Sequence, residues 1–246
     1  MDSMWTSAEL KIRAKGAFYK NYWYCVLMAL VMSFFAGSAI YNVTKHIQEY
    51  DYYVYADTFL GSIGDFMMNP LFRLLGVRIA LGLIEIVILL VKVFVGNPLR
   101  VGGYRFFIMN QTVNPTAAEL GFGMRSQNYA NVVLIMFLKS LYTLLWGLMF
   151  VIPGIIKHYE YLMIPYILAE NPEMDRQEAF LISKRMMMGQ KMDVFVLDLT
   201  FFGWMLLSAI TGGIVGIFYV EPYYQATMAE LYSMNRTRAY QEGYIR

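Results

Sequence analysis

The sequence predicts an all-α polytopic membrane protein, a transmembrane helical bundle of about six spans in three helical hairpins, each preceded by an amphipathic interfacial helix. Three observations predict it. The 246 residues are 58% hydrophobic and only 15% charged, whereas soluble domains carry about 25% charged residues. The apolar residues fall in blocks, at 22–40, 79–95, 132–152, 155–169, 194–210 and from 213–220 onward. Several approach the roughly 20 residues that a helix needs to cross the hydrocarbon layer. One local pattern recurs three times, a capping box, then a basic amphipathic stretch, then an apolar run. The boxes are Thr6-Ser7-Ala8-Glu9, Thr116-Ala117-Ala118-Glu119 and Asp175-Arg176-Gln177-Glu178, each able to satisfy orphan N–H groups at a helix start.

These boxes divide a single membrane domain, 1–246, into pseudo-repeat units of about 6–110, 116–171 and 175–240. In the first unit, basic residues alternate with Ile12, Ala14, Ala17 and Phe18, a composition suited to the headgroup layer. Lys11, Arg13, Lys15 and Lys20 are its membrane-surface residues. Tyr22-Trp23-Tyr24 then supplies an interfacial aromatic belt. A Tyr-rich outer loop, 41–70, ends at Asn69-Pro70, where proline suits a helix start. The second crossing is expected to end at Gly96-Asn97-Pro98. The second hairpin is expected to turn at Pro153-Gly154 and the third at Gly212-Gly213. Asn97-Pro98, Asn171-Pro172 and Glu221-Pro222 are each expected to break or kink a return helix, because proline lacks an N–H and clashes with the preceding turn, with helix continuing past the last to about Asn235. In the third unit Lys184 and Arg185 are the membrane-surface pair, and Met186-Met187-Met188 forms an apolar face.

Charge distribution sets the orientation. With a cytoplasmic N-terminus, Lys11, Arg13, Lys15, Lys20, Arg100, Arg105, Arg125, Arg176, Lys184, Arg185, Lys191, Arg236, Arg238 and Arg246 all fall inside. The outer loop holds Lys45 against Glu49, Asp51, Asp57 and Asp65. Basic residues collect on the cytoplasmic side of membrane proteins, so both termini are expected there. The net charge of +2 gives no reason to expect a nucleic-acid partner. One cysteine, Cys25, excludes an intrachain disulfide.

A longer pattern carries a resemblance. Ile152-Pro153-Gly154-Ile155, Tyr159-Glu160-Tyr161, Pro165-Tyr166-Ile167-Leu168-Ala169-Glu170-Asn171-Pro172, Gly203-Trp204 and Pro222-Tyr223-Tyr224 are its core. With Leu10-Lys11, Ala14-Lys15 and Asn21-Tyr22-Trp23, it resembles the uncharacterised integral-membrane family called domain of unknown function 975. That resemblance implies a bacterial plasma membrane, mostly of Gram-positive organisms, and implies no known activity.

Ionisable residues inside membrane segments are expensive and are functional candidates by default. Glu85, Lys139, His158, Glu160 and Glu221 are the candidate ligand-binding set, with Asp198 a further buried charge. No catalytic constellation is expected, nor any cofactor. With His46 and His158 the chain's two histidines and no second ligand at useful spacing, no metal site is expected either. The Gly212/Gly216 step reads as close helix packing rather than phosphate binding. The expected function is non-enzymatic: binding or moving a lipid or small amphiphile through a polar cavity in the bundle, with membrane lipids as partners. The alternative is an accessory subunit docked on another membrane protein, and an intramembrane enzyme comes third.

Overall fold

The computed structural model describes residues 5–36, 70–125 and 127–245. The outer loop expected at 41–70, with His46, lies outside these residues apart from Pro70. Among the described residues every regular element is helical. Three helical stretches are long and apolar enough to cross a membrane: Arg78–Met109, Tyr129–Met149 and Lys191–Ile210. Tyr22–Phe35 is a shorter apolar helix.

In chain order the helices are α1 (Ser7–Lys20), α2 (Tyr22–Ala36), α3 (Pro70–Val91), α4 (Asn97–Met109), α5 (Phe122–Arg125), α6 (Tyr129–Met149), α7 (Val151–Glu160), α8 (Ile164–Glu170), α9 (Arg176–Met186), α10 (Lys191–Ile210) and α11 (Glu221–Gln241). The chain forms two compact units, Ser33–Gly96 and Met1–Met32 with Asn97–Arg246. In the first unit, α3 is almost wholly apolar around Glu85, and its described side chains are exposed or half-buried.

The second unit holds the core. α8 is buried along 164–169, a hydrophobic run too short to be stable alone but covered by α4, α6 and α9. α1 buries Leu10, Ala14 and Phe18, spaced by one turn so that they share a face, and that face packs on α11. α9 buries Ala179, Ile182, Ser183 and Met186 at helical spacing. Met187 is buried beside them, and Met188 points out.

The N-cap bond forms at two of the three capping boxes. Thr6 accepts a hydrogen bond from the Glu9 N–H at 3.2 Å, and Asp175 accepts from Gln177 at 2.7 Å and Glu178 at 3.4 Å. The third does not. Thr116 makes no side-chain cap, residues Ala117–Gly121 form a 3-10 turn, and the Glu119 carboxylate binds Arg105 at 3.1 Å instead. A long interfacial helix is therefore replaced here by that turn and the four-residue α5.

One X-Pro site differs from expectation. Asn171 ends α8 as expected. Helix continues through Asn97-Pro98, where the second crossing is expected to end, and through Glu221-Pro222, where continuation is expected. Each is preceded by a π-helical turn, Lys92–Gly96 and Gly216–Val220, whose extra residue makes room for the proline ring. Pro222 cannot donate to the Phe218 carbonyl, and the Tyr22 hydroxyl does so at 3.0 Å. That replacement bond is worth about 0.5–1.5 kcal/mol net.

The second hairpin turns at Phe150, extended at φ −155 and ψ 139, not at Pro153-Gly154. Pro153 needs no N–H partner because it lies in the first turn of α7, where donors are orphaned anyway. Gly154 instead lets the two legs touch, since a Cβ there would lie 2.6 Å from the Gly147 Cα. The chain turns at Gly212 and Gly213, with φ +62 and +89, values glycine adopts freely.

Burial along the α6–α7 hairpin is lopsided. Val132, Val133, Ile135 and Met136 are buried near its base, while the tip, Leu148, Met149, Phe150, Val151 and Ile152, is 63–74% exposed. Five consecutive exposed apolar side chains suit hydrocarbon surroundings far better than water.

Candidate functional site

Between α4, α6 and α7 lies an open cleft of about 690 Å³. Arg100 from α4, Lys139 from the middle of α6 and His158 from α7 line it, with Ser140 and Thr143. Its apolar wall is Leu144, Leu148, Val151 and Ile155. The tight Gly147–Gly154 crossing sets how closely the two legs approach along that wall.

Each cation has a local reason for its place. Lys139 is about 15 Å along α6 from Tyr129 at 1.5 Å per residue. Its ammonium has no hydrogen-bond or ion-pair partner among the described residues. Arg100 donates from Nη2 to the Tyr104 hydroxyl at 3.2 Å, one turn along α4. Its Nε is buried and unpartnered. The Ser140 and Thr143 hydroxyls donate to the Met136 and Lys139 carbonyls of their own helix, at 3.1 and 2.8 Å. The protons available to a ligand therefore come from Arg100, Lys139 and His158.

The electrostatics are one-sided. Arg100 and Lys139 repel each other, and Lys139 also repels a charged His158. Among the described residues, no carboxylate lines the cleft. Two acids act on the cleft from outside its lining, and Asp198 attracts a charged His158. Asp198 accepts from the Tyr159 hydroxyl at 2.8 Å and the Tyr224 hydroxyl at 3.0 Å. Glu221 attracts Arg100 while its Oε1 accepts from Gln225 at 2.9 Å.

Of the sequence-derived candidates, Lys139 and His158 come together in the cleft. Glu160 does not line it. Its carboxylate is held by Lys157 at 2.5 Å and Lys191 at 2.8 Å, and the Ser183 hydroxyl donates to its carbonyl at 2.7 Å. That arrangement ties α7 to α9 and α10. Glu221, at the start of α11, does not line the cleft either. Glu85 belongs to the other compact unit, where it is exposed on α3.

The membrane-surface set divides in two. Arg13, Lys15, Lys20, Lys184 and Arg185 are exposed. Lys11 is half-buried, donating to the Thr200 hydroxyl and lying 4.4 Å over the Phe201 ring, and burial holds its ammonium below the ordinary lysine value.

Charge distribution along the sequence places Arg100 among the inner-surface cations and does not join it to Lys139. The signal that could have done so is local: an arginine two residues after Pro98 with Tyr104 one turn on, in a helix whose other charged residue, Arg105, has its own partner in Glu119. Among the described residues, no group of three His, Cys, Asp or Glu side chains is placed to hold a metal ion.

Apolar helices of membrane-crossing length and a basic cleft with one greasy wall define an all-helical, membrane-associated protein with an open ligand-sized cleft. Residues 4–239 match the family described as "Protein of unknown function (DUF975)", and the chain belongs to that family. No curated protein and no solved structure matches the chain.

Proposed function

We propose that this protein is a non-enzymatic, multi-pass protein of the bacterial plasma membrane that binds or moves a lipid or small amphiphile in the cleft between α4, α6 and α7. The observation that carries this reading is the cleft's two-sided lining, with Arg100, Lys139 and His158 on one side and Leu144, Leu148, Val151 and Ile155 on the other. An amphiphile needs both. The volume of about 690 Å³ lies in the range of small-molecule sites.

In this reading the six crossings are α2, α3, α6, the α7–α8 pair, α10, and the segment from 214 into α11, with both termini cytoplasmic. The α7–α8 break at residues 161–163, next to Glu160, follows the discontinuous helices that transporters place beside ligand sites. Interfacial cations such as Lys15, Lys184 and Arg185 would meet anionic headgroups, each adding about 1 kcal/mol of attraction.

The test is the lipid that travels with the protein. Wild type purified in mild detergent should retain lipid at a fixed ratio. Thr143→Trp, which fills the cleft from α6, should lower that ratio several-fold without loss of helicity. Equal lipid retention by the filled variant would sink the reading.

A further inference from the structure

Resting on that reading, we infer that the cleft selects an amphiphile with an anionic oxygen headgroup, held by Arg100 and Lys139 while its tail lies on the Leu144–Leu148–Val151–Ile155 wall. Charge in the cleft is unbalanced. An arginine, a lysine and a histidine share it, and among the described residues no carboxylate lines it. Uncompensated charge in a poorly hydrated site is costly. Five cations elsewhere in this unit do have carboxylate partners, Arg105 with Glu119, Arg236 with Glu170, Arg238 with Glu242, and both Lys157 and Lys191 with Glu160.

Hydrogen-bonding capacity points the same way. Arg100 has a buried Nε without an acceptor and Lys139 has a partnerless ammonium. Guanidinium and ammonium groups only donate, so the missing ligand atoms are acceptors. The guanidinium fork matches the paired oxygens of phosphate, sulfonate or carboxylate. A neutral headgroup would leave the repulsion between Arg100 and Lys139 in place, and a zwitterionic one would bring a further cation beside the two. Size argues against a bare ion, because a tetrahedral oxyanion fills a small part of about 690 Å³ and leaves the apolar wall uncovered.

The experiment uses the full chain in neutral detergent and native mass spectrometry, with phosphatidylglycerol, phosphatidylcholine and the tailless headgroup glycerol phosphate as probes. Phosphatidylglycerol should bind at least about tenfold more tightly than phosphatidylcholine, the least that one charge-assisted hydrogen bond supplies. Lys139→Met, which keeps the length of the side chain at a partnerless site, should erase that preference and leave phosphatidylcholine binding unchanged. Arg100→Lys should weaken it in part, by keeping the charge and losing the fork. Glycerol phosphate should not bind measurably.

Equal binding of the two lipids in wild type, or a preference that survives Lys139→Met, overturns the headgroup inference and leaves the amphiphile reading standing. If neither lipid binds, both fall. Glycerol phosphate binding as tightly as phosphatidylglycerol overturns the amphiphile and leaves recognition of a free anion.

Discussion

Gly102→Val is expected to prevent folding or to lower the unfolding midpoint further than any other single change to the second unit. α4 carries Gly102 against the backbone of the 3-10 turn, where an added Cβ would lie 2.3 Å from the Leu120 carbonyl oxygen and 2.5 Å from that of Glu119. These are main-chain atoms and cannot swing aside. A similar contact lies nearby, with a Cβ at Gly123 falling 2.3 Å from the Pro98 oxygen. The segment from 117 to 125 is therefore fitted to α4 by two bare backbone surfaces, and α4 in turn positions Arg100. Overpacking of this kind costs about 1–3 kcal/mol for small additions and more for branched ones. Gly102→Ala should thus destabilise by about 1–3 kcal/mol in denaturant unfolding, and Gly102→Val by more. Gly16 is the control. It is exposed in the interior of α1 with nothing within 4 Å of an added Cβ, so Gly16→Ala should stabilise by roughly 0.5–1 kcal/mol. If Gly102→Ala and Gly16→Ala behave alike, the close backbone approach is wrong.

The second large effect is expected at Glu160. The carboxylate side chain is 7% exposed, and its partners Lys157 and Lys191 are 23% and 30% exposed. Truncating one member of a buried ion pair costs about 3–5 kcal/mol because the other charge is stranded. Both lysines reach some solvent, so Glu160→Ala should cost about 2–3 kcal/mol after allowance for screening. Lys157 also lies 5.4 Å over the Trp146 ring and 5.8 Å over that of Tyr161, which limits its loss and leaves Lys191 the more stranded. In a Lys191→Met background, Glu160→Ala should cost measurably less, a coupling read from the double-mutant cycle. Lipid retention per folded molecule should not change. A variant of normal stability that loses lipid would move Glu160 from scaffold to site.

Local signals in the sequence are good guides to local structure. Thr6 and Asp175 cap helices because each box needs only its own four residues. Gly212-Gly213 turns because the positive φ values are a property of those glycines. The Thr116 box fails for a reason outside itself, since Glu119 is drawn to Arg105 on α4 and its backbone must lie flat against Gly102. Pro98 and Pro222 have the local signature of helix breaks, but a π-turn absorbs each, and Tyr22, 196 residues away from Phe218, supplies a missing donor. Lys139 and His158 are legible because charge inside an apolar run stands out. Arg100 is not, since an arginine near a helix end has an ordinary interfacial explanation. Only the packing of α4 beside α6 shows that it shares a cleft with Lys139. Glu160 stands out for the same reason as Lys139, yet its two lysines lie on α7 and at the start of α10, a pairing that no spacing rule reveals.

Anion binding in the cleft can be seen directly in a density map of the full chain in nanodiscs containing phosphatidylglycerol. A headgroup is expected between Arg100 and Lys139, within hydrogen-bond distance of both, with acyl density along Leu144, Leu148, Val151 and Ile155. An empty cleft with Arg100 turned to pair with Glu221 would contradict it.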